Sequence, residues 1–180
     1  MSELRVRLNL DGTRLDLLEG DITQLDVEAI VNPANEDLQL GGGISGVILE
    51  KGGPAVQEEC DRIGHTPVGT AVMTGAGSLD FQQIIHAVGP RMGEGDEDRK
   101  LAAAVRSSLA LADRNGLKSI AIPAISTGIF GYPMDRCARI LLTEVHRYLQ
   151  GGTKLEQVVI CLFGEDAFNI FRRELRRGFR

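Results

Sequence analysis

The chain has 180 residues, enough for one ordinary domain with a substantial core. Hydrophobic residues make up 43% and charged residues 25%, which excludes wholesale disorder, and a formal net charge of −5 makes nucleic acid an unexpected partner for the surface as a whole. Cys60, Cys137 and Cys161 are far apart, odd in number and without CxxC spacing, so neither a disulfide framework nor a metal site is expected, and a reducing, cytoplasmic setting is.

In chain order, residues 4–8 alternate apolar and charged, as a half-buried strand does. No apolar signal region accompanies them. A turn at Asp11-Gly12 leads to a second strand at 14–18. Residues 29–32 form a short apolar strand, and Pro33 is expected to end its pairing. Three glycines open a helix over 44–51, and Gly53-Pro54 starts another that runs to Ile63, with proline where its missing N–H costs nothing. Residues 69–74 and 84–88 read as strands. A long helix carries Leu101, Ala104, Val105, Leu109 and Leu111 and stops at Asn115-Gly116. Then come a strand at 119–122, a helix at 134–149, a strand at 158–163 and an amphipathic helix at 166–177. The uncharged stretch 119–134 is too short and too broken by proline and glycine to cross a membrane. Alternating strands and helices predict an α/β fold: a three-layer α/β/α sandwich on a mixed sheet, without a linker that would divide 1–180 into domains. Arginines crowd residues 172–180, at the solvent-facing C-terminal end of the last helix, where the helix dipole favours cations.

Two loops carry the chemistry. Gly41-Gly42-Gly43-Ile44-Ser45-Gly46 stands at the mouth of a helix, and Ser126-Thr127-Gly128-Ile129-Phe130-Gly131 follows an apolar strand. Glycines let backbone N–H groups approach an anion and accept positive φ, and a helix N-terminus adds unpaired donors. Two such loops at strand ends can grip two phosphates without a lysine. The first loop formally fits G-x-G-x-x-G, but it starts well beyond the strand that ends at Asn32, and no acidic residue closes a following strand; a dinucleotide-binding Rossmann motif is therefore rejected. No G-x-x-x-x-G-K-[ST] occurs. Asp21 follows a strand, where its carboxylate either accepts from an exocyclic amine or caps a turn. Asn32 and Asn35 bracket the turn at Pro33-Ala34 with amides suited to sugar hydroxyls. His86, at the end of an apolar strand, reads as a structural histidine rather than a base.

Gly20-Asp21-Ile22-Thr23, Val31-Asn32-Pro33-Ala34-Asn35, Gly41-Gly42-Gly43-Ile44, His86-Ala87-Val88-Gly89-Pro90 and Ile125-Ser126-Thr127-Gly128-Ile129-Phe130-Gly131 together resemble the successive motifs of the macrodomain family, in its order and spacing. The resemblance spans residues 15–171. It implies a monomeric module without a cofactor that binds ADP-ribose, free or on an ADP-ribosylated protein. It implies Asp21 and Ile22 for the adenine, with Phe163 stacking on it. It implies Gly42, Gly43, Ile44 and Ser45 for one side of the diphosphate and Ser126, Thr127, Gly128, Ile129 and Phe130 for the other. Phe130 would also pack on the distal ribose. Asn35 would stand beside that ribose as the catalytic amide, with Asn32 shaping its loop. Hydrolysis of a distal-ribose substituent follows as an expectation: a terminal phosphate, an acetyl ester or a protein ester. A non-catalytic reader of ADP-ribose or its polymer, and an RNA binder acting through the basic tail, are the alternatives. Ser45 stands where members that act on modified proteins commonly carry aspartate, and Leu40 where viral members carry histidine. Terminal-phosphate or ester substrates are therefore expected to be processed better than modified proteins.

Overall fold

A computed structural model describes residues 5–178. Leu4, Phe179 and Arg180 lie outside the described residues, and with them the expected start of the first strand and the last arginine. β1 (Arg5–Leu10) and β2 (Thr13–Glu19) form an antiparallel hairpin. Its turn places Asp11 and Gly12 at φ 52° and 93°, the positive values a two-residue hairpin turn requires. A short 3-10 turn, Ile22–Gln24, leads to β3 (Ala29–Ala34). Next come α1 (Gly43–Gly52), α2 (Pro54–Ile63), β4 (Ala71–Thr74) and β5 (Gln83–Val88). The chain finishes with α3 (Glu97–Arg114), β6 (Ser119–Ile122), α4 (Met134–Gln150), β7 (Gln157–Leu162) and α5 (Glu165–Gly178).

The strands form one sheet in the order β1-β2-β7-β6-β3-β5-β4. β2, β7, β6, β3 and β5 run parallel, and the edge strands β1 and β4 are antiparallel to their neighbours, so the sheet is mixed. Because side chains alternate along a strand, each central strand feeds two cores. Leu15, Leu17, Ile120, Ile122, Val158 and Ile160 face the layer of α3, α4 and α5. Leu18, Ile30, Ala121, Val159 and Cys161 face the layer of α1 and α2 with Ile48 and Val56. The result is the α/β/α sandwich read from the alternation of elements.

The helices bury the stripes that their sequences carry. α3 buries Leu101, Ala104, Val105, Ser108, Leu109 and Ala112, spaced by three and four residues. α5 buries Phe168, Phe171 and Leu175 and leaves its arginines outward. Each fully buried large apolar side chain contributes about 1.5–3 kcal/mol, which holds both layers to the sheet.

Pro33 does not end β3. It stays in register with Ala87 of β5, and Ala34 pairs with Val88. On the opposite edge, β6 pairs with β3 only at Ala29–Ile120 and Ile30–Ala121. Beyond those pairs β3 is an edge on that side, where a proline without an N–H is tolerated.

Candidate functional site

The chain turns to opposite sides of β3: first out to β5, then back through α3 to β6. In open α/β sheets the crevice beyond the carboxyl ends of the strands at such a reversal is the natural ligand site. Here the brevity of the β3–β6 ladder opens that crevice, and each flanking strand delivers one of the two glycine-rich loops.

The first loop enters α1 with Gly42 at φ 72° and Gly43 at φ 50°. No side chain caps this helix. The amides of its first turn therefore keep their unpaired donors and the positive end of the helix dipole. A Cβ built on Gly43 meets nothing within 4 Å, so the space over the loop is open. Ser45 is different: its hydroxyl turns inward and donates to Asn32 Oδ1 at 2.8 Å. Asn32, fully buried, spends its amide nitrogen on His86 Nδ1 at 3.0 Å. His86 Nε2 then meets Thr74 Oγ1 at 2.9 Å, and Thr74 donates to the carbonyl of Gly75 at 2.8 Å.

This relay fixes the tautomer. Asn32 donates to Nδ1, so the proton sits on Nε2 and the ring is neutral. Burial holds the His86 pKa down at about 4. His86 is thus the satisfied structural histidine the sequence suggests. Asn32, expected at the ligand, is instead sealed beneath the loop, because both ends of its amide are used to tie α1 to the sheet. Ser45 offers the crevice its backbone, not its hydroxyl.

The second loop is pinned by its own backbone. Thr127 Oγ1 donates to Ala124 O at 2.7 Å. Tyr132 N donates to Ser126 O at 2.9 Å, Gly131 N to Gly128 O at 3.0 Å, and Met92 N to Phe130 O at 2.8 Å. Below it the buried Tyr132 hydroxyl donates to Asp98, whose Oδ1 also takes Arg136 Nη2 at 2.6 Å. The Tyr132 hydrogen bond and the guanidinium hold the Asp98 carboxyl below the usual carboxylate range, against its partial burial. Ser126 carries two costs. Its φ is 71°, and its buried Oγ has no hydrogen-bond partner. Gly89 passes so close that an added Cβ would stand 2.2 Å from that oxygen, which explains the glycine after β5. Ile129 projects fully into solvent, and its Cδ1 lies 3.8 Å from where a Gly42 Cβ would be. The two glycine loops therefore approach each other across the crevice.

At one end of the crevice stand Asp21, Ile22 and Phe163. Gly20 N donates to Leu162 O at 2.9 Å, which brings the end of β2 beside the end of β7. Asp21 Oδ1 caps the 3-10 turn, accepting from Thr23 N at 2.9 Å and Thr23 Oγ1 at 2.7 Å. Oδ2 faces Lys51 Nζ at 3.6 Å. Burial works against the carboxylate, but the Thr23 bonds and the Lys51 charge together hold its pKa down. Of the two roles weighed for Asp21, the structure shows the turn cap, made by one oxygen, while the other pairs with Lys51. Phe163 is 88% exposed, a large apolar ring open to solvent.

At the other end is a cleft of about 410 Å³ lined by Asn35, Glu36, Asp37, Gln39, Val68, Val88, Gly89, Arg91, Glu94 and Phe130. Asn35 is held by the backbone of Gln39: Nδ2 donates to Gln39 O at 3.0 Å and Oδ1 accepts from Gln39 N at 3.1 Å. One N–H and one lone pair of the amide remain for the cleft. Arg91 lies over the Phe130 ring, 4.7 Å from its centroid. Of these residues Asn35 and Phe130 carry roles read from the sequence, and Val88 and Gly89 fall within one of its motifs. Arg91, Glu36, Asp37 and Glu94 sit on loops whose approach is set by packing, and no motif marks them.

No group of three or more His, Cys, Asp or Glu is placed to hold a metal ion among the described residues. Cys60 meets His86 Nε2 at 3.7 Å. This pair is no nucleophile: burial pushes the Cys60 thiol up to about 11, and the neutral histidine beside it cannot stabilise a thiolate. No helix among the described residues is long and apolar enough to cross a membrane.

Known proteins share this arrangement. The Macro domain family model matches residues 31–141. An uncharacterised protein of Saccharolobus solfataricus is 46% identical over 165 residues, covering 89% of this chain and 92% of its own. A protein of Pantoea vagans named O-acetyl-ADP-ribose deacetylase 1 is 40% identical over 168 residues, covering 90% of this chain and 98% of its own. Among solved structures, the Oceanobacillus iheyensis macrodomain with ADP superposes with a TM-score of 0.93 at 31% identity, covering 97% of this chain and 96% of that one. The Trypanosoma brucei macrodomain in complex with ADP-ribose gives 0.83 at 34% identity, covering 88% of this chain and 68% of that one. A mixed sheet between two helical layers, with its crevice at the β3–β6 parting, defines the class as a three-layer α/β ligand-binding module. The chain belongs to the Macro domain family.

Proposed function

We propose that this protein binds ADP-ribose across the crevice and hydrolyses substituents on the distal ribose. The observation that carries the reading is the convergence of the two glycine loops, one at an uncapped helix N-terminus, between an exposed aromatic ring at one end and an amide-lined cleft at the other. Adenine lies between Phe163 and Asp21, whose Oδ2 accepts from the exocyclic amine while the Ile22 backbone supplies a donor. The diphosphate takes backbone N–H groups from Gly42 to Ser45 and from Ser126 to Phe130. The distal ribose rests on Phe130 beside Asn35. The ligands named in the related macrodomain structures and the deacetylase name of the Pantoea relative support this reading.

The chemistry asks little of the protein. An amide is no strong base, so Asn35 orients the ribose and a water, and the ligand's own phosphate accepts the proton. Turnover is therefore slow. Two experiments test the reading. Titration calorimetry should give micromolar or tighter binding of ADP-ribose and weaker binding of AMP; equal affinities would remove the diphosphate and distal-ribose contacts. Single-turnover assays at high enzyme concentration, on an acetyl ester of ADP-ribose and on ester-modified protein, should show release that Asn35→Ala cuts about a hundredfold, with a smaller loss of affinity. If the parent releases no more product than Asn35→Ala, the protein reads ADP-ribose and does not remove it.

A further inference from the structure

The cleft at the Asn35 end carries a charge pattern that bears on what extends beyond the distal ribose. Glu36, Asp37 and Glu94 line it, against a single lining cation, Arg91. The arginine lies over the Phe130 ring, its guanidinium carbon 4.7 Å from the centroid. Glu94 is partly neutralised, since its Oε2 is 3.4 Å from Lys100 Nζ and its Oε1 accepts from Arg91 N at 2.6 Å. Glu36 and Asp37 are not so committed. Their side chains are 49% and 82% exposed, and the group they share is His65, at 3.8 Å and 3.4 Å, which adds positive charge only when protonated. Asp61 stands behind them, accepting from Gln39 Nε2 at 3.3 Å and Gln57 Nε2 at 2.8 Å. The rim next to the catalytic amide is therefore acidic, while the rest of the crevice is built to hold an anion.

Resting on the function proposed above, we propose that this rim selects the sign of charge beyond the distal ribose: it disfavours a terminal phosphate and favours a polypeptide segment rich in lysine and arginine, ester-linked to that ribose. A terminal phosphate would bring about two negative charges beside Glu36 and Asp37, with Arg91 the one cation among the lining residues to meet them. Like charges a few ångströms apart at a wet surface cost enough together to weaken binding about tenfold at low salt, and the penalty fades as salt screens it. A basic segment gains by the same amount. This order differs from the expectation drawn from Ser45, that terminal-phosphate or ester substrates are processed better than modified proteins.

The test compares ADP-ribose, ADP-ribose 1″-phosphate and two ester-linked ADP-ribosyl peptides, one flanked by lysine and one by glutamate. Affinities are measured at 20 and about 300 mM salt on the full chain. The 1″-phosphate should bind about tenfold more weakly than ADP-ribose at low salt, and the lysine peptide should bind more tightly than the glutamate peptide. The double variant Glu36→Lys/Asp37→Lys should reverse both preferences, and the milder Glu36→Gln/Asp37→Asn should abolish them. A 1″-phosphate that binds as well as ADP-ribose, or preferences that survive both double variants, would overturn this inference while leaving ADP-ribose binding intact. Failure of ADP-ribose itself to bind would instead remove the proposed function, and the selection with it.

Discussion

Replacing Ser126 with alanine should make the ligand-free protein more stable. The Ser126 hydroxyl is buried and has no hydrogen-bond partner. Burying such a group without compensation costs about 1–3 kcal/mol, and its removal leaves a void smaller than a methyl group. A gain of about 1 kcal/mol is expected, or roughly 2–4 °C in Tm for a chain of this size. Ser126→Gly adds a second effect, because the residue sits at φ 71°. Relief of that strain is worth about 1 kcal/mol and is partly offset by the larger entropy of an unfolded glycine. Urea and thermal unfolding at neutral pH, without ligand, measure both variants. A Ser126→Ala protein less stable than its parent would refute the reasoning, since the oxygen would then have a partner in solution, such as a trapped water. Calorimetry on the same variant asks a separate question. If ligand binding draws the hydroxyl onto a phosphate, stability rises while affinity falls.

Gly43→Glu should abolish ADP-ribose binding and leave the fold intact, because its Cβ meets no protein atom within 4 Å and the carboxylate would fill the space over the helix N-terminus; circular dichroism with calorimetry checks both halves. The strain of a side chain at φ 50° should show as a stability loss of about 1–2 kcal/mol. His86 sets a pH dependence. Burial lowers its pKa from 6.5 to about 4, so the unfolded chain binds the proton first. The His86 contribution is fully present above pH 6.5 and is lost as pH falls toward 4, by roughly 3 kcal/mol in all. His86→Gln should remove that part of the slope in denaturation measured from pH 7 to 4; an unchanged slope would mean that His86 titrates alike in the folded and unfolded chain.

Much of the fold is legible because each element states its period locally. The stripe from Leu101 to Ala112 and the Asn115-Gly116 stop give α3, and the alternation from Arg5 gives β1. Pro33 shows where such reading stops. A proline within a strand is acceptable only if the neighbour on its N–H side has left, and the early parting of β6 is a property of the whole sheet. The site divides in the same way. Glycine clusters announce the two loops from sequence, and the structure places Gly42, Gly43 and Gly131 at positive φ. Asn32 reads as a polar group beside a ligand, yet it is spent underneath on Ser45 and His86, a destination fixed by residues far along the chain. The charged cleft wall was invisible, since Glu36, Asp37 and Arg91 meet only when separate loops pack together.

The parting of β3 from β6 also draws a line through the sheet's hydrogen bonding, which the cores on both faces span. On one side of that line lie β1, β2, β7 and β6 with the second loop; on the other lie β3, β5 and β4 with the first. Two register pairs, Ala29–Ile120 and Ile30–Ala121, are the whole ladder between them. A ligand gripped by both loops would bridge this line at the ladder's open end. Its grip and the stability of the fold are then one quantity seen from two directions: whatever binding gains at the loops is returned as resistance to unfolding, by RT ln(1 + [L]/Kd).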